Sequence, residues 1–289
     1  MTLSKNFYLL AIGFIIISTQ QSIAQKEIQF QVKYKPNKTY ITDMVNNMQM
    51  EMDFDLDSAK KKEMEGTGMK LPMHMNMLQE MTLSTKTGAA GADKRIPMTM
   101  TYDKVGITMT MNGNETRQPD KLAGMKILGY ATEEGKVSID AIEGNSDATT
   151  KEALQKMISQ VLKSVEFPNK AMKIGDTFTQ DVPMEMPVNG NSLNMLINGR
   201  YTLKEIKGSQ AFFDYTQSIS MNFKIEKGNS RATGSGEGKM VYDIPANYIT
   251  DTTGDMIMNM NMQVGEMEMK NELESENFVK SESIVREGT

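Results

Sequence analysis

Apolar and polar residues alternate over long stretches of this chain, and methionine holds many of the apolar positions. Residues two apart lie on the same face of a β-strand, so alternation predicts strands with one apolar and one polar face. Methionine supplies 29 of the 289 residues. The methionines that recur at every second position are Met48, Met50 and Met52; Met73, Met75 and Met77; Met98 and Met100; and Met256, Met258, Met260 and Met262.

The predicted strands fall into two halves, residues 25–148 and 169–289. Those of the first half lie near residues 27–34, 39–57, 73–85, 97–103, 106–111, 125–132 and 136–142. Those of the second half lie near residues 176–186, 192–206, 211–226, 231–242, 248–264 and 266–284. Residues 60–68 and 87–94 are predicted to be loops. Because most strands are linked as hairpins, we expect a mainly β fold of long antiparallel strands in curved or partly open sheets.

The segment between the halves, residues 149–168, predicts one amphipathic connecting helix. Its apolar residues follow the helical period and form one stripe, and Pro168 ends it. We expect this stripe to cover apolar surface of a sheet. The residues of the stripe are Leu154, Met157, Ile158, Val161, Leu162 and Val165.

Two phrases of the chain repeat at a nearly constant distance. Residues 35–40, with the sequence KPNKTY, match residues 173–178, with the sequence KIGDTF, and Tyr102-Asp103 matches Tyr242-Asp243. A constant offset across a whole half is typical of a duplicated structural unit. The two halves are therefore predicted to be related.

The first 24 residues have the pattern of a secretory signal peptide. Lys5 precedes an apolar run from Phe7 to Ile17, and small residues, Ser22 and Ala24, precede Gln25. The chain contains no cysteine, so no lipoprotein cysteine is available at the cleavage site. The expected location is the periplasm or the extracellular medium.

Charge and hydropathy narrow the range of partners. Without residues 1–24 the chain carries 31 basic and 37 acidic residues, a net charge of −6. An acidic protein is a poor partner for nucleic acid. No apolar stretch after Ile17 approaches 20 residues, so no transmembrane segment is predicted in the mature chain. The sequence gives no indication of a protein partner.

No catalytic or cofactor motif is evident. The stretch from Ser58 to Lys61 fits a Ser-x-x-Lys pattern but lies in a charged segment, and any histidine-dependent triad would rely on His74, the single histidine. The sequence therefore predicts a non-enzymatic protein that needs no cofactor.

The methionine ladders allow three interpretations. Methionine is flexible and polarizable, so it can fill a core, or it can line a surface that adapts to an apolar ligand. We predict that the protein is a binding or envelope-associated module and that its methionine-rich face holds an apolar small molecule or lipid. The candidate ligand-binding residues are Met48, Met50, Met52, Met98, Met100, Met258 and Met260.

The third interpretation is a soft-metal site, because thioethers select Cu(I). The alternative function is thus a periplasmic Cu(I)- or Ag(I)-binding protein, with Met73, His74, Met75 and Met77 as candidate ligands. On a strand, however, His74 would point to the face opposite the three methionines, so one ion could reach both only from a loop conformation.

The chain resembles an uncharacterised family of exported bacterial proteins, a domain of unknown function. The resemblance is carried by the sequence FPNK at residues 167–170, by the phrase Lys-x-Gly-Asp-x-aromatic at residues 173–178, and by a glycine-rich strand, Gly234 to Asp243, ending in an aromatic-Asp pair. It implies a signal peptide followed by two β halves rich in Met and Thr. Phe178 stands where the family often has tryptophan. The resemblance implies no active site.

The export signal gives a direct test. We expect the exported protein to begin at Gln25, because signal peptidase cleaves where small residues occupy the −3 and −1 positions, here Ser22 and Ala24. Intact-mass measurement of the exported protein checks this. A mass that retains residues 1–24 would contradict the assignment.

Overall fold

The computed structural model describes most of the chain: residues 27–55, 58–66, 71–111, 113–118, 122–144, 151–152, 155, 158, 166–188, 191–225, 228–264 and 267–284. Strands dominate these residues. The elements are β1 (Thr39–Asp55), α1 (Ser58–Gly66), β2 (Met73–Thr87), β3 (Ile96–Met111), β4 (Asn114–Gln118), β5 (Lys126–Ala131), β6 (Val137–Glu143), β7 (Thr177–Val188), β8 (Asn191–Lys207), β9 (Gln210–Ile225), β10 (Gly228–Asp243), β11 (Tyr248–Val264) and β12 (Met267–Ile284).

The strands form one antiparallel sheet in the order β6-β5-β3-β2-β1-β12-β11-β10-β9-β8-β7, with β4 paired to β3. Strands β1–β6 make a first wing and β7–β12 a second wing. The wings meet where β1 pairs with β12, from Thr39 opposite Ile284 to Asp55 opposite Glu268. The expectation of a mainly β fold with long antiparallel strands in two halves is confirmed.

Three local predictions are wrong. Residues 27–34 do not form a strand of the sheet; among the described residues they make one isolated bridge, Ile28 to Met172. Residues 97–103 and 106–111 belong to a single strand, β3, in which a register shift opposite Thr82 and Leu83 absorbs the irregularity. The loop predicted at residues 60–68 is replaced over residues 60–66 by α1, a segment rich in Lys and Glu, which are good helix formers, and residues 67–68 lie outside the described residues.

Both hydrophobic clusters lie on one face of the sheet, which we call the core face. The second-wing cluster contains Phe30, Met172, Phe178, Leu203, Ala211, Phe213, Tyr215, Met240 and Tyr242. The first-wing cluster contains Met98, Met100, Tyr102, Val105, Met125, Ile127, Ala131 and Ile158. One transverse register row connects the two clusters and shows that they share a face: Met240, Thr252, Val279, Met44, Met81 and Val105.

Chain segments outside the sheet cover both clusters. Phe30 and Phe167 lie against the second-wing cluster, with ring centroids 5.0 Å from Phe30 to Phe213 and 5.4 Å from Phe167 to Phe178. Ile158 covers the first-wing cluster and is 9% exposed. Lys151, Glu152, Gln155 and Ile158 are helical, whereas residues 166–168, predicted to end the connecting helix, are not. The other residues of the predicted helix fall outside the described residues.

The segment of residues 28–38 connects the two wings across the core face. The Gln31 amide donates to the Tyr242 hydroxyl oxygen at 3.3 Å, and that hydroxyl donates to the Gln31 carbonyl at 2.7 Å. The Gln31 side chain donates to the Glu134 carbonyl in the β5–β6 turn. Because one residue contacts β10 and the β5–β6 turn, the sheet must curve toward the core face.

The β5–β6 turn contains a glycine where the segment of residues 28–38 passes closest to it. Gly135 has a φ of +83°, and a Cβ atom there would collide with the carbonyl oxygen of Val32. Further along the same segment, the Tyr34 ring packs edge-on against the rings of Tyr40 and Tyr248, with ring centroids 5.1 Å and 5.8 Å apart. Aromatic pairs of this kind each contribute about 0.5–1.5 kcal/mol beyond burial. Burial raises the pKa of Tyr34 well above its ordinary range.

The two repeated phrases adopt matching local structures. Asn37 and Gly175 occupy equivalent positions and both have positive φ, +54° and +94°. In the first half, the carbonyl of the next residue, Lys38, accepts a hydrogen bond from the Thr87 amide at 2.9 Å. In the second half, the carbonyl of the next residue, Asp176, accepts a hydrogen bond from the Leu203 amide, also at 2.9 Å. This similarity is the structural counterpart of the sequence repeat.

None of the helical segments in the described part of the chain is both long and apolar enough to cross a membrane.

The packing of Ile158 can be tested against an exposed isoleucine. Ile158→Ala should lower the free energy of unfolding by roughly 2–5 kcal/mol, as buried large-to-small changes do. Ile174, 39% exposed, is the matched control, and Ile174→Ala should cost no more than about 0.5 kcal/mol. Urea unfolding measures both. Equal small losses would mean that the connecting helix does not stabilise the sheet.

Candidate functional site

The register of the sheet aligns methionines from distant parts of the chain into transverse rows. The first row is Met111, Met75, Met50, Leu273, Met258, Gly234, Ile219, Ile197 and Val182. The second is Met109, Met77, Met48, Ser275, Met256, Gly236, Gln217, Gly199 and Gln180. The third is Met73, Met52, Asn271, Met260, Ala232, Met221, Met195 and Met184. These rows belong to the core face.

We define the methionine face as the described methionines of these rows on β1, β2, β3 and β11 that are partly buried or exposed: Met48, Met50, Met73, Met75, Met77, Met109, Met111, Met258 and Met260. Met111 is the most exposed of these nine methionines, with 48% of its surface accessible. Among the described residues, neither core cluster includes a member of this face. The apolar core face thus extends beyond the clusters that the covering segments protect.

The predicted ligand-binding residues divide into two groups. Met98 and Met100 are each 4% exposed and belong to the first-wing cluster. Met48, Met50, Met258 and Met260 lie on the methionine face, on two strands that flank β12. The side chain of Met52 lies outside the described part of the chain, although its backbone pairs with Met73. The structure therefore brings four of the seven residues to one half-open surface.

The four residues of the alternative Cu(I) or Ag(I) site lie on opposite faces of the sheet. Met73, Met75 and Met77 are partly buried, whereas His74 alternates with them and its side chain is 66% exposed. The His74 Nδ1 atom lies 3.7 Å from a carboxylate oxygen of Glu51 on β1. Residues 73–77 therefore form a strand, and in this conformation His74 points away from the three thioethers.

A tyrosine marks the border between the second-wing cluster and the methionine face. The Tyr215 ring lies across Gly238 and Gly254, where a Cβ atom on either glycine would collide with the ring or its hydroxyl. The Tyr215 hydroxyl donates to the Thr253 carbonyl at 3.1 Å. Burial, then the nearby Tyr201 and Asp255, raise the pKa of Tyr215 to about 12.

Among the depressions in the described part of the chain, two shallow ones lie outside the methionine face. The larger, about 710 Å³, opens on the outer face of the sheet across β1, β9, β10 and β11, and its lining includes Val45, Asn47, Asp214, Glu237, Lys239 and Asp255. The smaller, about 450 Å³, lies across β2, β3, β5 and β6. In the described part of the chain no group of three or more His, Asp or Glu side chains could hold a metal ion.

Comparison with known proteins adds little. No protein-family model matches the chain, and no curated protein matches it. Solved structures with some likeness include OccK11 (OpdR) of Pseudomonas aeruginosa, 6% identical over 90% of this chain and 100% of that chain with a TM-score of 0.24. The outer membrane protein OprD of Pseudomonas aeruginosa is 8% identical over 90% and 98%, with a TM-score of 0.21. A mutant of the Rh. blastica porin is 8% identical over 84% and 100%, with a TM-score of 0.24. Likenesses this weak carry no argument about function.

The border tyrosine gives a prediction for alkaline pH. An unfolded tyrosine has a pKa near 10, whereas Tyr215 in the folded protein stays protonated up to about 12. Below pH 10, Tyr215 is protonated in both the folded and the unfolded chain, so it does not change the free energy of unfolding with pH. As the pH rises from 10 to 12, the unfolded tyrosine ionises while the folded one does not, and the free energy of unfolding falls. Tyr215→Phe should make the free energy of unfolding fall less steeply over that range.

Urea unfolding at pH 9 and at pH 11 measures the effect. Tyr130→Phe is the control, because Tyr130 is only partly buried and its ring contacts the Arg95 guanidinium, 4.4 Å from the ring centroid. If Tyr215→Phe and the parent lost the same stability between the two pH values, the hydroxyl would not be held in its protonated form by burial.

Proposed function

We propose that this is an exported, non-catalytic binding protein that holds a flexible apolar molecule, such as a lipid acyl chain, on its methionine face. The observation that carries the proposal is the position of that face. It lies on the same side of the sheet as both core clusters, but outside the part of the core face that Phe30, Phe167 and Ile158 cover. Extended apolar surface rimmed by polar residues is typical of a binding site.

The residue type of the face supports a flexible ligand. A methionine side chain has three rotatable bonds and a polarizable sulfur, so a surface of methionines can repack around ligands of different shape. Met50 and Met258 occupy the same transverse row on either side of β12. A ligand lying along this row would contact both wings at once.

The rest of the chain is compatible with a role in the bacterial envelope. The signal-peptide pattern of residues 1–24 supports export, and the acidic mature chain argues against nucleic acid as the partner. The described side chains of α1 are exposed, apart from a partly exposed Lys61. Location and ligand class together define the proposed envelope-associated binding protein.

Polar substitutions on the face should weaken binding. We expect Met50→Gln/Met258→Gln to raise the Kd for a dansylated fatty acid at least about tenfold, equivalent to about 1.4 kcal/mol, because two apolar contacts are lost. The matched control is Val45→Gln/Ile257→Gln, which alters the same strands, β1 and β11, on the outer face, where the two side chains are 37% and 48% exposed. Fluorescence titration of the purified mature chain measures both.

The control variant should retain the parent Kd within about a factor of two. Met50→Leu/Met258→Leu, which keeps the face apolar, should also retain binding. No binding by the parent, or equal loss in the outer-face control, would contradict the proposal.

A further inference from the structure

Six methionines form a closed block on three neighbouring strands of the first wing. Met48 and Met50 lie on β1, Met77 and Met75 lie opposite them on β2, and the block is completed on β3 by Met109 and Met111. Every core-face position in this two-by-three block is methionine. We propose that the block is a binding site for one soft monovalent cation, Cu(I) or Ag(I), held by three thioethers.

The register brings the side chains close enough for a trigonal set. Directly opposite residues of antiparallel strands have Cβ atoms about 4.5–5.5 Å apart, and diagonal neighbours about 7–8 Å. Met75 therefore has Met50 opposite it on one side, Met111 on the other, and Met77 two residues along its own strand. Since each side chain has three rotatable bonds, the sulfurs of Met50, Met75 and Met77 can turn toward one point.

The donor set determines which cation would bind. Thioethers are soft and uncharged, so they select Cu(I) over hard divalent cations. The chain has no cysteine, and its single histidine, His74, lies on the outer face beside Glu51. The proposed site therefore differs from the site suggested by the sequence, because it draws its ligands from two strands, β1 and β2, and excludes the imidazole.

The chain itself shows that apolar volume alone does not require methionine here. The first transverse row has Met111, Met75 and Met50 in the first wing, whereas on β9, β8 and β7 of the second wing the same row has Ile219, Ile197 and Val182. Packing on this face is thus achieved with branched side chains where a thioether is not used. Met111 is 48% exposed, so an ion can reach the block from solvent.

This inference goes beyond the proposed function, because leucine can replace methionine for an apolar ligand but not for a metal. Met50→Leu/Met75→Leu/Met77→Leu should keep the apolar volume and the binding of the dansylated fatty acid. The same variant should lose affinity for Ag(I) at least about a hundredfold, since every proposed ligand sulfur is removed.

Two controls separate the block from methionine content in general. Met184→Leu/Met195→Leu/Met221→Leu removes three methionines that lie opposite one another in a straight row on β7, β8 and β9, where the outer two strands are separated by about 9.5 Å. His74→Gln removes the imidazole. Both variants should bind Ag(I) within about threefold of the parent.

The experiment is titration of the full mature chain with Ag(I), and with Cu(I) in ascorbate under competition with bicinchoninate. The parent should bind one ion per chain, with an affinity that does not change between pH 5 and pH 8, because thioethers do not titrate. X-ray absorption of the Cu(I)-loaded parent should show sulfur as the only ligand atom, which tests the site even if the triple variant fails to fold.

Several results would overturn the proposal. They are no binding by the parent, equal loss in the straight-row control, loss in His74→Gln, and nitrogen coordination in the absorption spectrum. If the block variant loses Ag(I) but keeps the fatty acid, the metal site and the apolar site are distinct functions of one face.

Discussion

The pairing of β1 with β12 is the constraint on which the rest of this structure depends. It joins the first strand of the sheet to the last one, through 17 residues of β1, and so makes one sheet from two wings. A slip of one residue in an antiparallel pair moves every side chain to the other face. With the observed register, Met50 and Met258 share a row and a face; with a slipped register, the methionines of the two wings would lie on opposite sides.

The covering segments decide which part of the core face becomes interior. Residues 28–38 contact β10 through Gln31 and Tyr242, and the β5–β6 turn through Gln31 and Glu134, so they hold the curved wings together. Phe167 and Ile158 complete the cover over the two clusters. The remaining methionine rows have the same alternation as the buried ones, yet they stay partly open. We infer that this difference in cover, rather than residue type, separates core from binding surface.

Local patterns were enough to predict nearly all the strands, because alternation is a property of a few neighbouring residues. They could not predict which strands pair, since Thr39 and Ile284 lie at opposite ends of the chain. For the same reason the sequence grouped Met98 and Met100 with Met48 and Met50, although the first pair is buried under Ile158 and its neighbours. Residues 27–34 alternate like a strand but lie across the sheet, because Phe30 and Tyr34 insert into aromatic clusters on its core face.

The proposed role of the methionine face as a binding surface can be tested by native mass spectrometry of the protein purified from its own envelope, because this method detects bound lipid and bound metal in the same spectrum. We expect a species heavier than the polypeptide by the mass of an apolar small molecule, and its loss when Met50 and Met258 are replaced by glutamine. A spectrum containing only the bare polypeptide, for protein handled gently enough to retain a weakly bound lipid, would show that the methionine face holds no such ligand.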